Sequence, residues 1–532
     1  MSLRFLNGYR HGLATRPLME FRESVTVSDE FPRFRRALTR RFGIDSRALA
    51  ALRVAVGVLL LADLTLRTRG LVGFYTDSGV LPRSLLGEQY PIFAKLSLHA
   101  LSGAAWFELI LFAVAGVAAL AVVVGYRTRL AVFVSWLLLV SLHARNPLVL
   151  SAGDSLLRRL LFWGLFLPLG ARWSVDAAAC DSADRNAVAG RVVGVASVAL
   201  LTQVLLVYGV NAALKLRGTA WLSGEAIQSV FSLEQFLVGV GPLLAQQPDL
   251  LVPLGYIWLT LLAVSPLLVG LTGRPRLLLV GLFAAAHLGM AATMRLGVFP
   301  FISVAALLPF LPPTAWDALV ERTPQKIARR LAGWRGQLAS RLPAGRLSVP
   351  DGLPRWPRAV VSAVAALFLV VMVVWNAAAL GFVATPDAVN SVADPNERTW
   401  DMFAPTPLST DGWYVVPGRL DSGERVDVFD GGSVEWDKPT DVSAAYPTWR
   451  WRKYLVDLWR TDSSELRHGF GGYLCRRWNA TQDTELVELS AYYVAQETRL
   501  SGAEPVERVP IVDHSCEPTN TSGEWERSFR YS

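Results

Sequence analysis

The feature that most constrains this chain is a series of separate apolar runs, most of them about as long as a bilayer is thick. A helix needs about 20 apolar residues to cross the hydrocarbon core. By this measure the sequence predicts nine spans, at residues 48–66, 104–124, 128–143, 155–169, 191–214, 251–272, 277–293, 297–312 and 359–384. Hydrophobic residues make up 52% of the chain, which fits this interpretation. We therefore predict a mainly α-helical, polytopic membrane bundle.

The polar segments outside the spans predict the orientation. Residues 1–47 hold ten arginines and an apolar stripe at four-residue spacing, which indicates an interfacial helix; a disordered basic tail is the alternative. Residues 313–358 hold nine Lys and Arg against three acids, with a second amphipathic pattern. Basic loops face the cytoplasm, so both segments are predicted there. Nine crossings of the plasma membrane would then leave the C-terminus outside.

Five segments follow from this interpretation. They are a cytoplasmic basic N-terminal segment (1–47), a bundle of eight spans (48–312), a cytoplasmic amphipathic segment (313–358), the ninth span (359–384) and an outer domain (385–532).

The outer domain differs from the rest in charge and pattern. It holds 25 acidic and 15 basic residues, although the whole chain carries a net charge of +8. The excess of arginine therefore lies around the spans and does not indicate nucleic-acid binding. Short alternating runs separated by Gly-rich turns, with an aromatic helical stretch at 446–459, predict a small α+β domain. Cys475 and Cys516 lie in it, and the sequence leaves open whether they pair.

Lys215 lies at the end of the span predicted at 191–214. The chain has only five lysines among its 52 basic residues, so a position that needed only a cation would be expected to carry Arg. Tyr208 and Asn211 precede Lys215 at three- and four-residue spacing and share its helix face. Burial can leave a lysine amine neutral, whereas arginine stays charged. The pattern thus allows a lysine base; a lysine that snorkels to the membrane surface is the alternative.

Three other polar residues lie near the predicted outer ends of spans: Asn146, Asp154 and His287. Asp154 has two interpretations, as a partner of the lysine or as the cap of the helix that follows it. His287 is either a site residue or a histidine bonded to a neighbouring helix.

Several motifs, in this order and spacing, resemble the HTTM domain that is shared with vitamin K-dependent γ-carboxylases. They are IDSRALAALRVAVGVLLLADL (44–64), FYTDSGVLPRSLL (74–86), RNPLVLSAGDSLLRRLLFWGLFLPLG (145–170), WSVD (173–176), YGVNAALKL (208–216) with Trp221 and Gly224, His287 with LGVFPFISVAALLPFLP (296–312), WDMFAP (400–405) and GWYVVPG (412–418).

The resemblance implies an enzyme that oxygenates a reduced vitamin K-type quinone, such as a menaquinol, with O₂ to its epoxide. It couples this reaction to carboxylation of a glutamate in a protein substrate by CO₂, in the lipid membrane and without a metal. Lys215 would be the base, with His287 and Asp154 as further catalytic residues. Tyr208, Asn211, Asn146 and Trp221 would line the quinone pocket.

Two departures from the family pattern bear on this expectation. The carboxylases carry a histidine near the position of Asp154, and the outer domain of this chain is short for a full peptide-binding apparatus. The quinone half of the reaction is therefore better supported than the peptide half. The alternative function is a non-catalytic membrane bundle that displays the outer domain to partners, and it predicts a closed, packed site at Lys215.

Overall fold

A computed structural model describes residues 32–179, 190–343, 356–390, 393–395 and 399–516. The chain is mainly helical, with a small sheet near its C-terminus. The long and medium helices form the bundle; they are α1 (Pro32–Phe42), α2 (Ser46–Thr68), α6 (Ala105–Val124), α7 (Thr128–Arg145), α8 (Ala152–Gly164), α10 (Val195–Lys215), α14 (Pro248–Ala263), α16 (Gly273–Thr293), α17 (Phe299–Leu307), α18 (Pro313–Arg322), α19 (Gln325–Arg341) and α20 (Trp356–Ala379).

Short helices connect them. They are α3 (Leu71–Tyr75), α4 (Arg83–Gln89), α5 (Pro91–Leu96), α9 (Val175–Ala178), α11 (Thr219–Ser223), α12 (Ala226–Phe231), α13 (Gly241–Ala245), α15 (Leu267–Gly270) and α21 (Asp387–Asn390), with 3₁₀ turns at Leu98–Ala100, Pro147–Val149, Glu234–Phe236 and Leu308–Phe310.

Six described helices are long and apolar enough to cross a membrane. They are α2, α6, α7, α10, α16 and, within α20, Ala359–Ala379. A bent pair, Phe299–Phe310 with Pro313–Arg322, raises the number to seven if it counts as one span. Six of the nine predicted runs thus correspond to candidate spans, and the count of nine is not confirmed.

The three remaining runs do not form single long helices. The run at 155–169 becomes α8, which has only 13 residues and begins with a capping box formed by Ser151 and Asp154. The run at 251–272 ends as a long helix at Ala263, just before Pro266. The run at 297–312 turns by 104° after Phe310, where Pro312 precedes α18. Proline lacks the amide that would continue a helix, which explains the last two breaks.

The bundle core is built by close helix pairs. α2 packs along α6, and a side chain at Gly57 would meet the backbone nitrogen of Val123 at 2.9 Å. α10 packs against α14 and α20, so its last turn lies inside the protein. The amphipathic helix α19, by contrast, exposes Ile327, Leu331 and Trp334.

The C-terminal domain is an antiparallel sheet covered by two helices, α22 (Trp449–Arg460) and α23 (Ser464–Thr481). Its strands are β3 (Thr410–Val415), β4 (Pro417–Leu420), β5 (Arg425–Asp427), β6 (Leu486–Glu497) and β7 (Val506–Ser515), while β1 (Ile44–Asp45) and β2 (Arg191–Val192) pair separately in the bundle. β6 is central: it pairs with β3 in the register Trp413↔Val494, with β4, and with β7 along its other edge. A disulfide joins Cys475 to Cys516, so the pairing that the sequence left open is made. The domain is α+β, as the sequence predicts.

Candidate functional site

Lys215 lies on the last turn of α10, where the residue is only 1% exposed. Its Nζ donates to the backbone oxygens of Met402 at 2.7 Å and Phe403 at 3.3 Å. The same nitrogen lies 3.6 Å from the centre of the Trp221 ring. It forms no ion pair with any described carboxylate; Asp401 interacts with it only at longer range. The amine is therefore held entirely by neutral groups.

Residues 400–405, which we call the strap, close over this helix end. The Asn211 side-chain amide donates to the oxygens of Trp400 at 2.8 Å and Met402 at 3.3 Å. The Trp221 indole donates to the oxygen of Phe403 at 2.8 Å. Three of the predicted site residues, Asn211, Lys215 and Trp221, thus meet on one piece of backbone.

The strap also explains the glycine that follows Lys215. A β-carbon at Gly218 would lie 1.9 Å from the backbone oxygen of Pro405, closer than any side chain permits. Glycine therefore allows the turn after α10 to approach the strap.

A second pair of residues lies about two turns before Lys215. It joins Tyr208 on α10 to His287 on α16. The Tyr208 hydroxyl lies 3.0 Å from Nε2 of His287, while Nδ1 of the histidine has no hydrogen-bond partner among the described residues. Aromatic rings surround the pair: Phe283 is 4.5 Å from the Tyr208 ring, and Trp258 and Phe299 are 5.6 and 6.0 Å from the imidazole. This is an apolar enclosure with one free polar atom.

Asp154 lies in a different environment from Lys215. Its Oδ2 accepts from the amide and hydroxyl of Ser151, completing the cap of α8. Its Oδ1 accepts from Arg67 at 2.5 Å and from Arg450 at 3.0 Å. None of these contacts involves Lys215, so the structure gives Asp154 the capping role that the sequence left open and no contact with the lysine.

Asp154 belongs to a buried ionic cluster that the sequence analysis missed. We define the cluster as Asp63, Arg67, His143, Asp154 and Arg450. Arg67 binds Asp63 at 2.7 Å, and Arg450 binds Asp63 at 2.7 Å from the other side. Two guanidinium groups and two carboxylates thus balance each other in a buried site.

His143 completes the cluster between two arginines. Its Nε2 lies 3.2 Å from Arg67 and 3.5 Å from Asp154, and its Nδ1 lies 3.1 Å from Arg158. An arginine only donates hydrogen bonds, so each ring nitrogen faces a donor. A neutral imidazole can accept from only one of the two arginines, and its other nitrogen, which carries the proton, then faces a donor that it cannot satisfy.

One signal in the sequence pointed to this cluster. Asp63 and Arg67 are four residues apart within a long apolar run, and charges inside such runs are rare unless they are paired. Nothing in the local sequence marked Arg450 as their partner, because it lies hundreds of residues away in the outer domain.

Asn146 also has a structural position away from Lys215. Its Oδ1 accepts from the amide of Leu148, so it caps the turn Pro147–Val149. Its Nδ2 donates to the oxygen of Phe74 at 3.0 Å. Both ends of the side chain are thus occupied by backbone.

Two small cavities lie near helices α2 and α7 of the described bundle, and neither of these two is lined by Lys215 or His287. One is lined by Leu52, Arg53 and neighbouring apolar residues, and the other by residues that include Asp63, His99 and Ser135. Among the described residues no group of three or more His, Cys, Asp or Glu side chains is arranged to hold a metal ion.

Comparison with known families gives one match. A family model described as the HTTM domain matches residues 43–316, just over half of the chain. That range contains α2 through α17, including Asp63, Asp154, Lys215 and His287, but neither the strap nor Arg450. Searches of curated proteins and of solved structures find no match.

Proposed function

The chain belongs to the HTTM domain family, which is characteristic of vitamin K-dependent carboxylases, and from this membership we propose that it is a membrane enzyme of that class. In this proposal Lys215 is the base that takes a proton from a hydroxyl of a reduced quinone. The reduced quinone, oxygenated by O₂ to its epoxide, supplies the strong base that removes a glutamate γ-proton before CO₂ is captured.

The observation that carries the proposal is the environment of Lys215. Its Nζ is buried and contacts two carbonyls and an indole ring, without a paired carboxylate among the described residues. A carboxylate at hydrogen-bond distance would favour the charged ammonium, which cannot accept a proton. The carbonyls and the ring can accept from either form of the lysine, but burial without a counter-charge favours the neutral amine, which can accept a proton.

The neighbouring residues fit an aromatic, membrane-soluble ligand. Tyr208, Trp258, Phe283 and Phe299 offer ring faces and edges, and Nδ1 of His287 is a buried polar atom without a partner among the described residues. A ligand hydroxyl is one group that would satisfy that nitrogen. Lys215 on α10 and His287 on α16 would then orient a quinol from two neighbouring helices.

The strap must move for such a ligand to reach Lys215. The oxygens of Met402 and Phe403 now occupy the direction from which a hydroxyl would approach Nζ. We propose that the strap is a cover, and that a quinol hydroxyl replaces these carbonyls when it opens.

The test is epoxide formation by the purified, detergent-solubilised chain. Incubation with vitamin K hydroquinone and oxygen, followed by mass spectrometry, should yield the epoxide. Lys215→Ala and Lys215→Arg should both abolish it, because arginine keeps the charge but cannot act as a neutral base. Lys95→Ala is the matched control, since Lys95 is exposed on a short helix. An inactive wild type, or an active Lys215→Arg, would refute the proposal.

Carboxylation is a separate part of the proposal. A glutamate-containing peptide incubated with labelled bicarbonate under the same conditions should acquire label only when the quinol is present. Epoxide without labelled peptide would restrict the function to quinol oxygenation.

A second candidate is a non-catalytic bundle that displays the outer domain. The closure of the strap over Lys215 favours it, because every described contact of Nζ is made within the chain itself. It predicts no epoxide from the wild type and equal thermal stability with and without the quinol.

We further propose that the outer domain lies outside the plasma membrane. The Cys475–Cys516 disulfide supports this side, since such bonds persist in oxidising compartments. Counting the bent pair as one span gives seven candidate spans among the described residues, and an odd number fits a C-terminal domain on the side opposite α1.

A further inference from the structure

Arginines gather at one end of the bundle, where α1 ends and α16 begins. Arg191 on β2 donates to the backbone oxygen of Arg40 at 3.2 Å. Arg276 on α16 donates to that of Arg41 at 3.2 Å, and Arg41 itself donates to the oxygen of Gly270 at 3.4 Å. These contacts tie together three segments that are distant in sequence, and they concentrate positive charge there.

Arg276 is the unusual member of this group. It is only 4% exposed, and its guanidinium lies 5.5 Å from the ring centre of Phe310. One of its nitrogens bonds the oxygen of Arg41, but Nε and Nη2 have no hydrogen-bond partner among the described residues. Buried charged donors without acceptors are costly, so these two nitrogens indicate a missing acceptor.

The beginning of α16 adds donors at the same place. This helix of 21 residues has no acidic residue in its first turn, and Thr272 makes no side-chain cap. Gly273 opens it with a φ of 64°, a conformation that glycine adopts readily. Pro275 contributes no N–H, but the remaining amides of the first turn and the helix dipole together favour an anion.

The acids on adjoining elements do not neutralise the group. Asp45 on β1 and Asp317 on α18 are both bound by Arg47, at 2.9 and 2.7 Å. No described ion pair joins a carboxylate to Arg276 or Arg191.

We propose that Arg41, Arg191, Arg274 and Arg276, with the first turn of α16, form a phosphate-binding site, which we call the arginine site. A guanidinium group presents paired N–H donors that match two oxygens of a phosphate. Since α16 is a candidate span, its first turn lies at the membrane boundary, within reach of the headgroup of an anionic phospholipid. Inorganic phosphate offers the same chemistry from solution. The inference is independent of any quinone reaction.

The experiment measures lipid binding by native mass spectrometry and thermal stability in detergent. Phosphatidylglycerol should remain bound to the wild type and raise its melting temperature more than phosphatidylcholine does. Arg276→Gln should weaken phosphatidylglycerol binding by about tenfold or more. Arg274→Gln removes an exposed member of the site with little risk to folding and should weaken it a few-fold. Arg129→Gln, an exposed arginine on α7, is the control and should bind as the wild type does.

A second experiment distinguishes a lipid headgroup from free phosphate as the ligand. It compares the melting temperature in inorganic phosphate with that in chloride at equal ionic strength. Protection by inorganic phosphate alone, lost in Arg276→Gln, supports the site and assigns it to free phosphate. Equal binding of the two lipids with no effect of inorganic phosphate would overturn the proposal. Unchanged binding in both Arg274→Gln and Arg276→Gln would overturn it as well.

Discussion

At the scale of single residues, Arg450 is one of the links between the C-terminal domain and the bundle. Its side chain is 4% exposed and donates to Asp63, Asp154 and the backbone oxygen of Val149. Breaking a buried pair by removing one partner costs far more than the pair contributes, because the remaining charges stay buried. The sequence could not predict this contact, since its partners are distant in the chain and only the folded domain brings them together.

Arg450→Ala should therefore destabilise the protein by about 3–5 kcal/mol, because Asp63 and Asp154 would share only Arg67. Arg450→Lys should cost less, since it keeps the charge but loses the forked geometry. The measurement is the melting temperature in detergent, together with the rate of proteolysis of the outer domain.

Arg460→Ala controls for the loss of a positive charge on the same helix. Arg460 is exposed at the end of α22, so its removal should change stability by no more than about 0.5 kcal/mol. If Arg450→Ala has the same melting temperature as the wild type, the ionic cluster does not hold the domain in place.

At the scale of elements, the loop after Lys215 is tied to the sheet by Asp411. The carboxylate on β3 accepts from the backbone amides of Glu234 and Gln235, at 2.9 and 3.1 Å, and so caps the turn Glu234–Phe236. Burial raises the pKa of Asp411 to about 6, although the amide bonds and Lys438 oppose this shift. The ionised form is thus disfavoured in the folded state.

The sign of the pH dependence follows from that raised pKa. Between about pH 6 and pH 4 the folded chain binds a proton at Asp411 that the unfolded chain, with an ordinary pKa near 3.8, binds less readily. The contribution of Asp411 to stability therefore rises as the pH falls from 7 to 5, by about 1 kcal/mol. The Asp411→Asn side chain cannot titrate. As the pH falls from 7 to 5, the free energy of unfolding of the wild type should therefore rise by this amount relative to that of the variant.

Melting temperatures of both proteins at pH 5, 6 and 7 measure this difference, since other titrating groups cancel in the comparison. Asp421→Asn, an exposed acid on the same domain, controls for net charge and should follow the wild type. A difference between wild type and Asp411→Asn that stays constant with pH would contradict the prediction.

How well elements can be predicted from sequence depends on what determines them here. Long apolar runs such as 104–124 became single helices, because length and hydropathy act locally. The run at 155–169 belongs to a helix that starts earlier, at the capping box of Ser151 and Asp154, and ends at Gly164, while the run at 251–272 is divided near Pro266; these are local signals that a hydropathy window averages away. In the outer domain short alternating runs predicted strands, but they did not predict which strands pair with the central β6, because that pairing is a long-range effect.

At the scale of the whole molecule, the candidate site divides into two parts that the sequence placed together. Asn211, Lys215 and Trp221 meet at the strap, and Tyr208 meets His287, as helix spacing and motif order suggested. Asn146 and Asp154 belong to the junction with the outer domain instead. Proximity to span ends is therefore not enough to assign residues to one site, because several span ends are buried under the same domain.

The disulfide makes a prediction about the whole chain as isolated from cells. Because Cys475 and Cys516 are paired, unreduced protein should take up one alkyl group and reduced protein three. The bond joins residues 41 apart in sequence, and a bond of that span stabilises a fold by about 4 kcal/mol in the loop-entropy account.

The double variant Cys475→Ala, Cys516→Ala should accordingly unfold at a lower temperature than the wild type, by calorimetry or by circular dichroism. Three reactive thiols in unreduced, denatured protein would place the outer domain in a reducing compartment and contradict the proposed topology.

The strap has a consequence for how the Lys215 site can be studied. Its hydrogen bonds with Asn211, Lys215 and Trp221 are all accepted by main-chain oxygens, which every amino acid supplies. An alanine scan of residues 400–403 would leave those acceptors in place, so any defect that it reports would reflect lost side-chain packing, such as that of the buried Trp400 or of Phe403 against the Trp221 cluster. Removing the acceptors themselves requires a change in the path of the backbone, which a side-chain substitution does not make directly.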